Sequence, residues 1–307
     1  MTTIIGGAPT FLAMMEHVSR VAPLTKPVLV IGERGTGKEL VAARVHFLSG
    51  RWEQPFVKLN CASLTETLLD SELFGHEAGA FTGATSRHVG RFERADQGTL
   101  FLDELATIPA RMQEKILRVI EYGEFERVGG SETIVTDVRI VGATNADLPA
   151  MAKRGEFRPD LLDRLAFDVI VVPPLRQRRE DILELAQHFA VNITRELERP
   201  YFPGFTEEAA LALMEYPWPG NVRGLKNVVE RSVYRSLEPE ALISEVVFDP
   251  FSSPYELGQL VTTAIGEAAP APSKTDAHTL PVDLKQLVSD LEVRLIHQAM
   301  DSSRYNQ

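Results

Sequence analysis

The segment from residue 32 to residue 38 could bind the phosphates of a nucleotide. It matches the pattern G-x-x-x-x-G-K with the residues Gly32, Glu33, Arg34, Gly35, Thr36, Gly37 and Lys38. The glycines allow backbone N–H groups to surround phosphate oxygens, and the lysine bridges the β- and γ-phosphates. An apolar strand predicted from Pro27 to Ile31 precedes the segment, and a helix predicted from Lys38 to Leu48 follows it. This context distinguishes the motif from a chance glycine-rich turn and predicts ATP binding.

The residue after this lysine departs from the general pattern. A serine or threonine usually stands there and binds Mg²⁺ through its hydroxyl group. This chain has Glu39 instead. Taken alone, the substitution leaves open a degenerate site that holds nucleotide without hydrolysing it.

A second motif supplies two carboxylates. Residues 99–104 read TLFLDE, an apolar strand that ends in Asp103 and Glu104. We expect Asp103 to hold Mg²⁺ directly or through water, and Glu104 to orient and deprotonate the attacking water. A solvated acidic strand end is the alternative, but the phosphate loop earlier in the chain favours a catalytic pair.

Two asparagines also follow predicted strands. Asn145 could hydrogen-bond the γ-phosphate or the attacking water, and Asn60 could hold Glu104 away until it is needed. For each asparagine alone, formation of a turn at the strand end is the interpretation that the residue type favours.

The elements around these motifs predict an α/β fold. Apolar strands alternate with helices over residues 1–173, and one of these helices is predicted from Pro109 to Tyr122. The further predicted strands are Phe56 to Leu59, Thr99 to Leu102, Val138 to Gly142 and Phe167 to Val172. Such alternation predicts a parallel sheet with helices on both faces. Because the phosphate loop lies in this region, we expect residues 1–173 to form the nucleotide-binding domain.

Residues 174–250 predict a small all-helical domain. Its predicted helices are Glu180 to Leu197, Thr206 to Tyr216 and Val222 to Ser236. We expect Thr206 to cap the second of them. Residues 251–281 are rich in Pro, Ala, Ser and Thr and predict a flexible linker, and residues 282–307 predict one amphipathic helix.

Composition narrows the class of protein. The 307 residues carry a formal net charge of −11, which does not suit a stand-alone nucleic-acid binder with a basic face. The single cysteine, Cys61, excludes an internal disulfide. The chain does not open with a signal-peptide pattern, and no apolar stretch reaches the roughly 20 residues of a membrane span. We therefore expect a cytoplasmic protein.

An unusual loop separates the two nucleotide motifs. It reads GAFTGA, with the residues Gly79, Ala80, Phe81, Thr82, Gly83 and Ala84. An aromatic residue among glycines favours neither helix nor strand. A buried phenylalanine on a tight turn is one interpretation, and a mobile loop that presents Phe81 and Thr82 to a partner is the other.

Together these motifs resemble the AAA+ domain of bacterial enhancer-binding proteins, the ATPases that activate sigma-54 RNA polymerase. GAFTGA is that family's signature, and GERGTGKE, with Glu39 after the lysine, is its usual form. WPGNVR at residues 218–223 matches its helical subdomain. The resemblance covers residues 4–250, and residues 87–105 and 118–148 resemble the phage-shock branch of the family.

The resemblance implies a ring, usually hexameric, that holds ATP and Mg²⁺ between subunits. Arg158 and Arg164 match the arginines that reach a neighbour's γ-phosphate, although each alone would suit a surface salt bridge. Arg223 matches a second sensor of the nucleotide. The loop of residues 79–84 would contact sigma-54, and residues 129–131 match a second pore loop beside it.

The chain departs from the family pattern in two places. Gly224 stands where a glutamate usually follows the sensor arginine, and a glycine inside a helix costs about 0.5–1 kcal/mol relative to alanine. The family usually ends in a helix-turn-helix domain that binds enhancer DNA, whereas this chain ends at Gln307 within what resembles its first helix. The recognition helix is absent, so we do not expect specific DNA binding by this chain, and DNA binding would require the C-terminal domain that is incomplete here.

Trp52 lies in a polar loop before a predicted strand. A partly packed loop tryptophan is the interpretation that we favour, and an exposed anchor for a protein partner is the other. In the phage-shock branch, the membrane-associated phage shock protein A docks on the ATPase domain as a negative regulator. Trp52 is the candidate contact for that regulator.

Two other functions fit part of the sequence. A general AAA+ unfoldase or chelatase would use the same nucleotide motifs but gives no reason for GAFTGA. A non-catalytic nucleotide-binding protein would explain Glu39, but the family resemblance accounts for that residue. The leading hypothesis is an ATP-driven remodeller of sigma-54 RNA polymerase that serves phage-shock promoters.

Overall fold

Five parallel strands form the central sheet of the computed structural model, which describes residues 4–236 and 238–251. In sheet order these strands are β2 (Phe56–Asn60), β3 (Thr99–Asp103), β6 (Arg139–Thr144), β1 (Val28–Ile31) and β7 (Asp168–Val171). A separate antiparallel hairpin pairs β4 (Glu124–Glu126) with β5 (Thr133–Val135). The predicted parallel sheet of an α/β fold is confirmed.

Ten α-helices accompany these strands in the described part of the chain. They are α1 (Pro9–Val21), α2 (Lys38–Phe47), α3 (Glu66–Phe74), α4 (Arg91–Arg94), α5 (Ala110–Tyr122), α6 (Leu148–Lys153), α7 (Pro159–Leu165), α8 (Asp181–Glu196), α9 (Glu207–Glu215) and α10 (Asn221–Arg235). Short 3-10 turns follow β2, β3 and β7 at Cys61–Ser63, Leu105–Thr107 and Leu175–Gln177.

Each face of the sheet is covered by its own apolar core. Successive side chains of a strand point to opposite faces, and Val28 and Val30 accordingly join the core under α1 and α2. Leu29, between them, joins the larger core that includes residues of α3, α5 and α7. Burial on both faces explains why the strands read as continuous apolar runs.

The predicted elements agree with the structure to within a few residues at their ends. Strand β6 ends at Thr144, because Ala143 and Thr144 pair with the last two residues of β1. The hairpin was not predicted, since strands of three residues are too short to show alternation. Helix α1 was also not predicted, although its buried residues stand at helical spacing.

The last three helices form a separate core around Trp218. This side chain is fully buried, its Nε1 donates to the Leu213 carbonyl at 2.8 Å, and its ring meets Tyr216 edge-on. Thr206 caps α9 as predicted, because its hydroxyl oxygen accepts from the Ala209 N–H at 3.2 Å. We call this part of the structure, from the 3-10 turn at Leu175–Gln177 to the end of α10, the lid.

One carboxylate fastens the lid to the beginning of the chain. Asp181, the first residue of α8, accepts hydrogen bonds from the N–H groups of Gly7 and Ala8 at 2.7 and 2.8 Å. The guanidinium of Arg178 lies 4.9 Å from the centre of the Phe11 ring, and burial lowers the pKa of that arginine. The lid is therefore attached to the rest of the structure through these contacts with the start of α1 as well as through the covalent connection from β7.

The predicted linker beyond residue 251 and the predicted terminal helix lie outside the described residues, as does the expected start of a helix-turn-helix. The boundaries drawn between domains stay predictions. Within residues 4–236 and 238–251, no helix is long and apolar enough to cross a membrane.

Candidate functional site

The predicted nucleotide residues meet at the carboxyl edge of the sheet. The phosphate loop, residues 32–38, joins β1 to α2, and Asp103 ends β3 two strands away. Asn60 ends β2 directly opposite Asp103 in the parallel register. Ligands of open parallel sheets bind outside this edge, because the loops that follow the strands converge there.

The phosphate loop takes a shape that requires glycine. Gly35 and Gly37 have positive φ angles of 78° and 95°, which other residues adopt only with strain. A Cβ on Gly35 would also collide with the carbonyl oxygen of Gly220 in the lid. The loop ends at the first turn of α2, where free N–H groups and the helix dipole favour an anion.

Lys38 lies folded over this loop. Its Nζ donates to the carbonyl oxygens of Gly32 and Glu33 at 3.0 and 3.2 Å. Burial lowers the pKa of Lys38, while the charges of Asp103 and Glu104 act in the opposite direction. Lys38 and these two carboxylates stand at the same edge of the sheet, because β1 and β3 are parallel and end there.

Asp103 and Glu104 adopt distinct conformations at the strand end. An oxygen of Asp103 accepts from the N–H of Glu104 at 3.0 Å, and Glu104 has a left-handed backbone with a φ of 52°. Such a conformation is uncommon for a residue with a side chain and costs about 1–3 kcal/mol. It turns the chain into the following 3-10 helix immediately after the strand.

This donor set suits Mg²⁺ only together with a nucleotide. The described residues contain no group of three or more His, Cys, Asp or Glu side chains that could hold a metal ion. Mg²⁺ is usually bound by one or two carboxylates, water and substrate phosphates, rather than by a cage of protein ligands. A single Asp103 carboxylate beside a phosphate loop fits that requirement.

The two asparagines differ in what they do at their strand ends. The amide oxygen of Asn60 accepts from the Ala62 N–H at 2.9 Å and caps the following turn. After β6 the hydroxyl of Thr144, rather than Asn145, accepts from the Ala146 N–H at 3.0 Å. Asn145 is exposed. In this structure Asn60 thus forms a turn at its strand end, as its residue type favours. The roles proposed for Asn60 and Asn145 in positioning Glu104, the γ-phosphate or the attacking water stay predictions.

Glu39 is directed to a neighbouring strand. Its carboxylate pairs with Nζ of Lys58 on β2 at 2.8 Å, and both side chains are exposed. The side chain is thus held by a lysine on β2. A contribution of residue 39 to nucleotide binding through the helix N-terminus stays a prediction.

The lid contacts the phosphate loop directly. The N–H of Arg223 donates to the Gly35 carbonyl at 3.2 Å, and the charge of Arg223 lowers the pKa of Lys38. The side chains of Asn221 and Arg176 bind Glu33 of the loop. Sequence reasoning missed both residues. Asn221 stands in the WPGNVR motif and could have been found there, whereas nothing in the sequence pattern distinguishes Arg176.

Gly224 has no packing requirement that excludes a side chain. A Cβ at this position would lie 4.0 Å from Cε3 of Trp218, an ordinary van der Waals distance, and the φ angle is ordinary for a helix. The expected cost of glycine inside α10 is therefore not offset by a close contact.

Arg158 and Arg164 form surface ion pairs within the chain. Arg158 donates to Asp160 at 2.7 and 3.1 Å, and Arg164 donates to Glu121 of α5 at 2.9 Å. The Arg164 side chain is 61% exposed. The single chain thus shows the salt bridges expected from residue type, with guanidinium groups at a surface that another subunit could reach.

The GAFTGA loop is closed at its base and exposed at its tip. The Gly79 N–H donates to the Ala84 carbonyl at 2.7 Å, and the half-buried Phe81 ring packs edge-on against His76. Thr82 is exposed. Gly129, of the second predicted pore loop, approaches so closely that an added Cβ would lie 2.7 Å from Cβ of Ala80. The two loops are therefore in contact.

Trp52 is 57% exposed in a turn before β2. Loop packing, which the sequence favoured, covers less than half of its surface. A large aromatic side chain of this exposure is available to a partner.

Comparisons with known proteins identify the families to which the two parts of this structure are similar. The sigma-54 interaction domain family matches residues 4–171, and the AAA+ ATPase lid domain family matches residues 176–250. The chain is 57% identical over 305 residues to the Psp operon transcriptional activator of Escherichia coli (strain K12), covering 99% of this chain and 91% of that protein.

Longer regulators share the same region. The chain is 52% identical over 233 residues to the Nif-specific regulatory protein of Azotobacter vinelandii, which covers 76% of this chain and 44% of that protein. The crystal structure of NtrX from Brucella abortus in complex with ATP has a TM-score of 0.72 at 37% identity, over 80% of this chain and 56% of that chain. The chain thus spans about half the length of these two relatives.

Proposed function

This chain belongs to the sigma-54-dependent transcription activators with an AAA+ ATPase domain, and from that premise we propose that it hydrolyses ATP to remodel sigma-54 RNA polymerase. We propose phage-shock promoters as its targets, because the identity to the Psp operon activator extends over 99% of the chain. The observation that carries the enzymatic part is the placement of the phosphate loop after β1 and of Asp103 and Glu104 after β3, at the same carboxyl edge of the parallel sheet.

The chemistry follows from the residues at the sheet edge. Backbone N–H groups of the phosphate loop and Lys38 would hold the nucleotide's phosphates. Asp103 would hold Mg²⁺, which supplies charge neutralisation of the phosphates when bound. Glu104 would accept a proton from the attacking water, and Asn145 and Asn60 would position the water and Glu104.

The site is completed by a second copy of the chain. In the proposed hexameric ring, Arg158 and Arg164 of one subunit face the γ-phosphate held by the next. The support is their position at the surface, where each guanidinium pairs with carboxylates of its own chain. Exposed ion pairs contribute little to stability, so these side chains are free to move towards a phosphate.

The GAFTGA loop would transmit the conformational change driven by ATP hydrolysis to sigma-54. Phe81 and Thr82 stand at its tip, and contact between Ala80 and Gly129 joins it to the second pore loop. Because the two loops touch, a shift of one displaces the other. Contacts with the γ-phosphate would order one conformation of the loops, and release of the phosphate after hydrolysis would end that conformation.

Replacing Thr82 with alanine tests the function directly. We expect ATPase activity within twofold of the unmodified chain, because the exposed Thr82 belongs neither to the phosphate loop nor to the end of β3. Open-complex formation by sigma-54 RNA polymerase should fall by about tenfold or more, as for loss of an interface hot spot. The measurement is transcript formation from a phage-shock promoter, beside phosphate release.

The matched control is Thr85→Ala, an exposed threonine of the same loop outside GAFTGA. It should activate normally. Full activation by Thr82→Ala would overturn the loop's role. A general unfoldase, the competing function, predicts equal effects of the two variants on transcription.

Trp52→Ala tests the proposed contact with phage shock protein A. We expect normal ATPase activity and about tenfold or greater loss of binding to that regulator, because an exposed aromatic anchor supplies much of an interface's energy. Inhibition of the ATPase by added regulator is the measurement. Tyr201→Ala removes a comparably exposed aromatic ring from the lid and is the control. Normal inhibition of the Trp52 variant would contradict the proposal.

A further inference from the structure

A glutamate of the phosphate loop is bound entirely by the lid. Nη1 of Arg176 donates to one oxygen of Glu33 at 2.8 Å, and Nη2 of Arg176 donates to the other. Nδ2 of Asn221 donates to Glu33 as well, at 3.1 Å. Paired parallel hydrogen bonds of this kind fix the orientation of both partners as well as attracting their charges.

Asn221 makes this contact from a buried position. Its side chain is 0% exposed, and its Nδ2 also donates to the Arg34 carbonyl of the loop at 3.0 Å. Its Oδ1 accepts from the Leu175 N–H at 2.9 Å, in the turn that enters the lid. One side chain thus joins the phosphate loop, the entry to the lid and the start of α10. A buried amide with these bonds satisfied leaves little freedom for any of the three segments.

The same contact sets the position of the sensor arginine. Arg223 stands two residues after Asn221 on α10, and its N–H donates to the Gly35 carbonyl at 3.2 Å. The Gly220 carbonyl lies against Gly35 so closely that no side chain fits between them. Whatever holds Asn221 and Arg176 on Glu33 therefore holds Arg223 over the loop that carries Lys38.

We propose that Glu33, Arg176 and Asn221 form a latch between the phosphate loop and the lid, and that Glu33 is a positioning residue that places Arg223 on the bound nucleotide. The proposal rests on the proposed function, because it assumes that this loop holds ATP. It goes beyond phosphate binding, since Glu33 acts through the lid and needs no contact with the nucleotide.

The charge of the latch is stable near neutral pH. The hydrogen bonds from Arg176 and then from Asn221 hold the pKa of Glu33 at about 2, below its ordinary value of 4.5. A carboxylate whose pKa is lowered on folding contributes stability above its ordinary pKa and loses it as pH falls towards the lowered value. The Glu33 carboxylate is therefore fully ionised near neutral pH, where ATPase activity is measured.

A double-mutant cycle tests the latch. In the full chain, Arg176→Met removes the charged pair and leaves the loop's sequence intact, and Arg223→Ala removes the sensor. The measurement is the Kd of the non-hydrolysable analogue adenosine 5′-(β,γ-imido)triphosphate with Mg²⁺, by titration calorimetry. We expect Arg176→Met to raise the Kd by about three- to tenfold, as for loss of a charge-assisted pair.

The coupling decides the outcome. If Arg176 acts by positioning Arg223, adding Arg176→Met to Arg223→Ala should change the Kd by less than about twofold, because neighbours in one network are not additive. Glu33→Gln keeps an acceptor for Asn221 but removes the charge, and it should match Arg176→Met alone and add little to it. Arg154→Met breaks an exposed pair with Glu156 and should leave the Kd unchanged.

Three results would overturn the latch. One is an unchanged Kd in Arg176→Met. Another is a double variant whose Kd rises by the product of the two factors measured for the single variants. The third is a fall in thermal midpoint in Arg176→Met that accounts for weaker binding through unfolding. If the unmodified chain does not bind the analogue, the proposed function fails instead, so the two failures are distinguishable.

Discussion

Replacing Glu104 with glutamine should lower the rate of ATP hydrolysis by about 10²–10⁴-fold, the usual contribution of a general base. The replacement has the same shape and keeps the N–H that donates to Asp103. It removes the carboxylate that would accept a proton from the attacking water. We therefore expect ATP to bind with a Kd within about threefold of that of the unmodified chain, since the phosphate loop and Lys38 are untouched.

Steady-state phosphate release and analogue binding measure the two halves of this prediction. Glu208→Gln, in the exposed first turn of α9, is the matched control and should change neither quantity. Turnover retained within tenfold by Glu104→Gln would show that another group activates the water. Loss of ATP binding together with turnover would show that Glu104 supports the site's structure.

Replacing Arg164 with alanine should lower ATP turnover by about 10³–10⁵-fold, the effect found when an arginine that stabilises a phosphoryl transition state is lost. The side chain is 61% exposed and pairs with Glu121 of its own chain. Its loss should therefore leave folding nearly unchanged, because exposed pairs contribute little. Arg158→Ala should act in the same direction, since its guanidinium is also a surface group.

Mixing two inactive variants distinguishes a shared site from a site within one chain. Lys38→Ala lacks the lysine of the phosphate loop, and Arg164→Ala lacks the arginine that would reach a neighbour. A mixed ring contains interfaces at which an intact loop faces an intact arginine, so the mixture should recover activity that neither variant has alone. The measurement is phosphate release as the ratio of the two chains is varied.

Protein concentration supplies a second test of the same idea. The rate per chain should rise steeply with concentration, because the complete site forms only when subunits associate. Arg154→Ala, which removes another exposed and paired arginine, is the control and should behave as the unmodified chain. Mixtures that form rings but stay inactive would contradict catalysis in trans. A chain that forms rings and never hydrolyses ATP would be a nucleotide-binding protein only.

The sequence by itself determined the five strands of the sheet, the helices α2, α5, α8, α9 and α10, and the motifs that follow the strands. Continuous apolar runs predicted the buried parallel strands, because residues between two layers of helices meet no water on either face. The phosphate loop and the Asp103–Glu104 pair were found because their glycines and carboxylates stand at fixed positions relative to a strand. Information of this kind is local, because it depends on residues that are close together in the sequence.

Only the tertiary structure decided where side chains from distant segments meet. Glu39 pairs with Lys58, and Glu33 is bound by Arg176 and Asn221, although neither pairing follows from any spacing along the chain. The approach of Gly129 to Ala80 likewise depends on how two loops pack. The physical reason is that periodicity fixes the face on which a residue lies, whereas its partner depends on the packing of elements that are far apart in sequence.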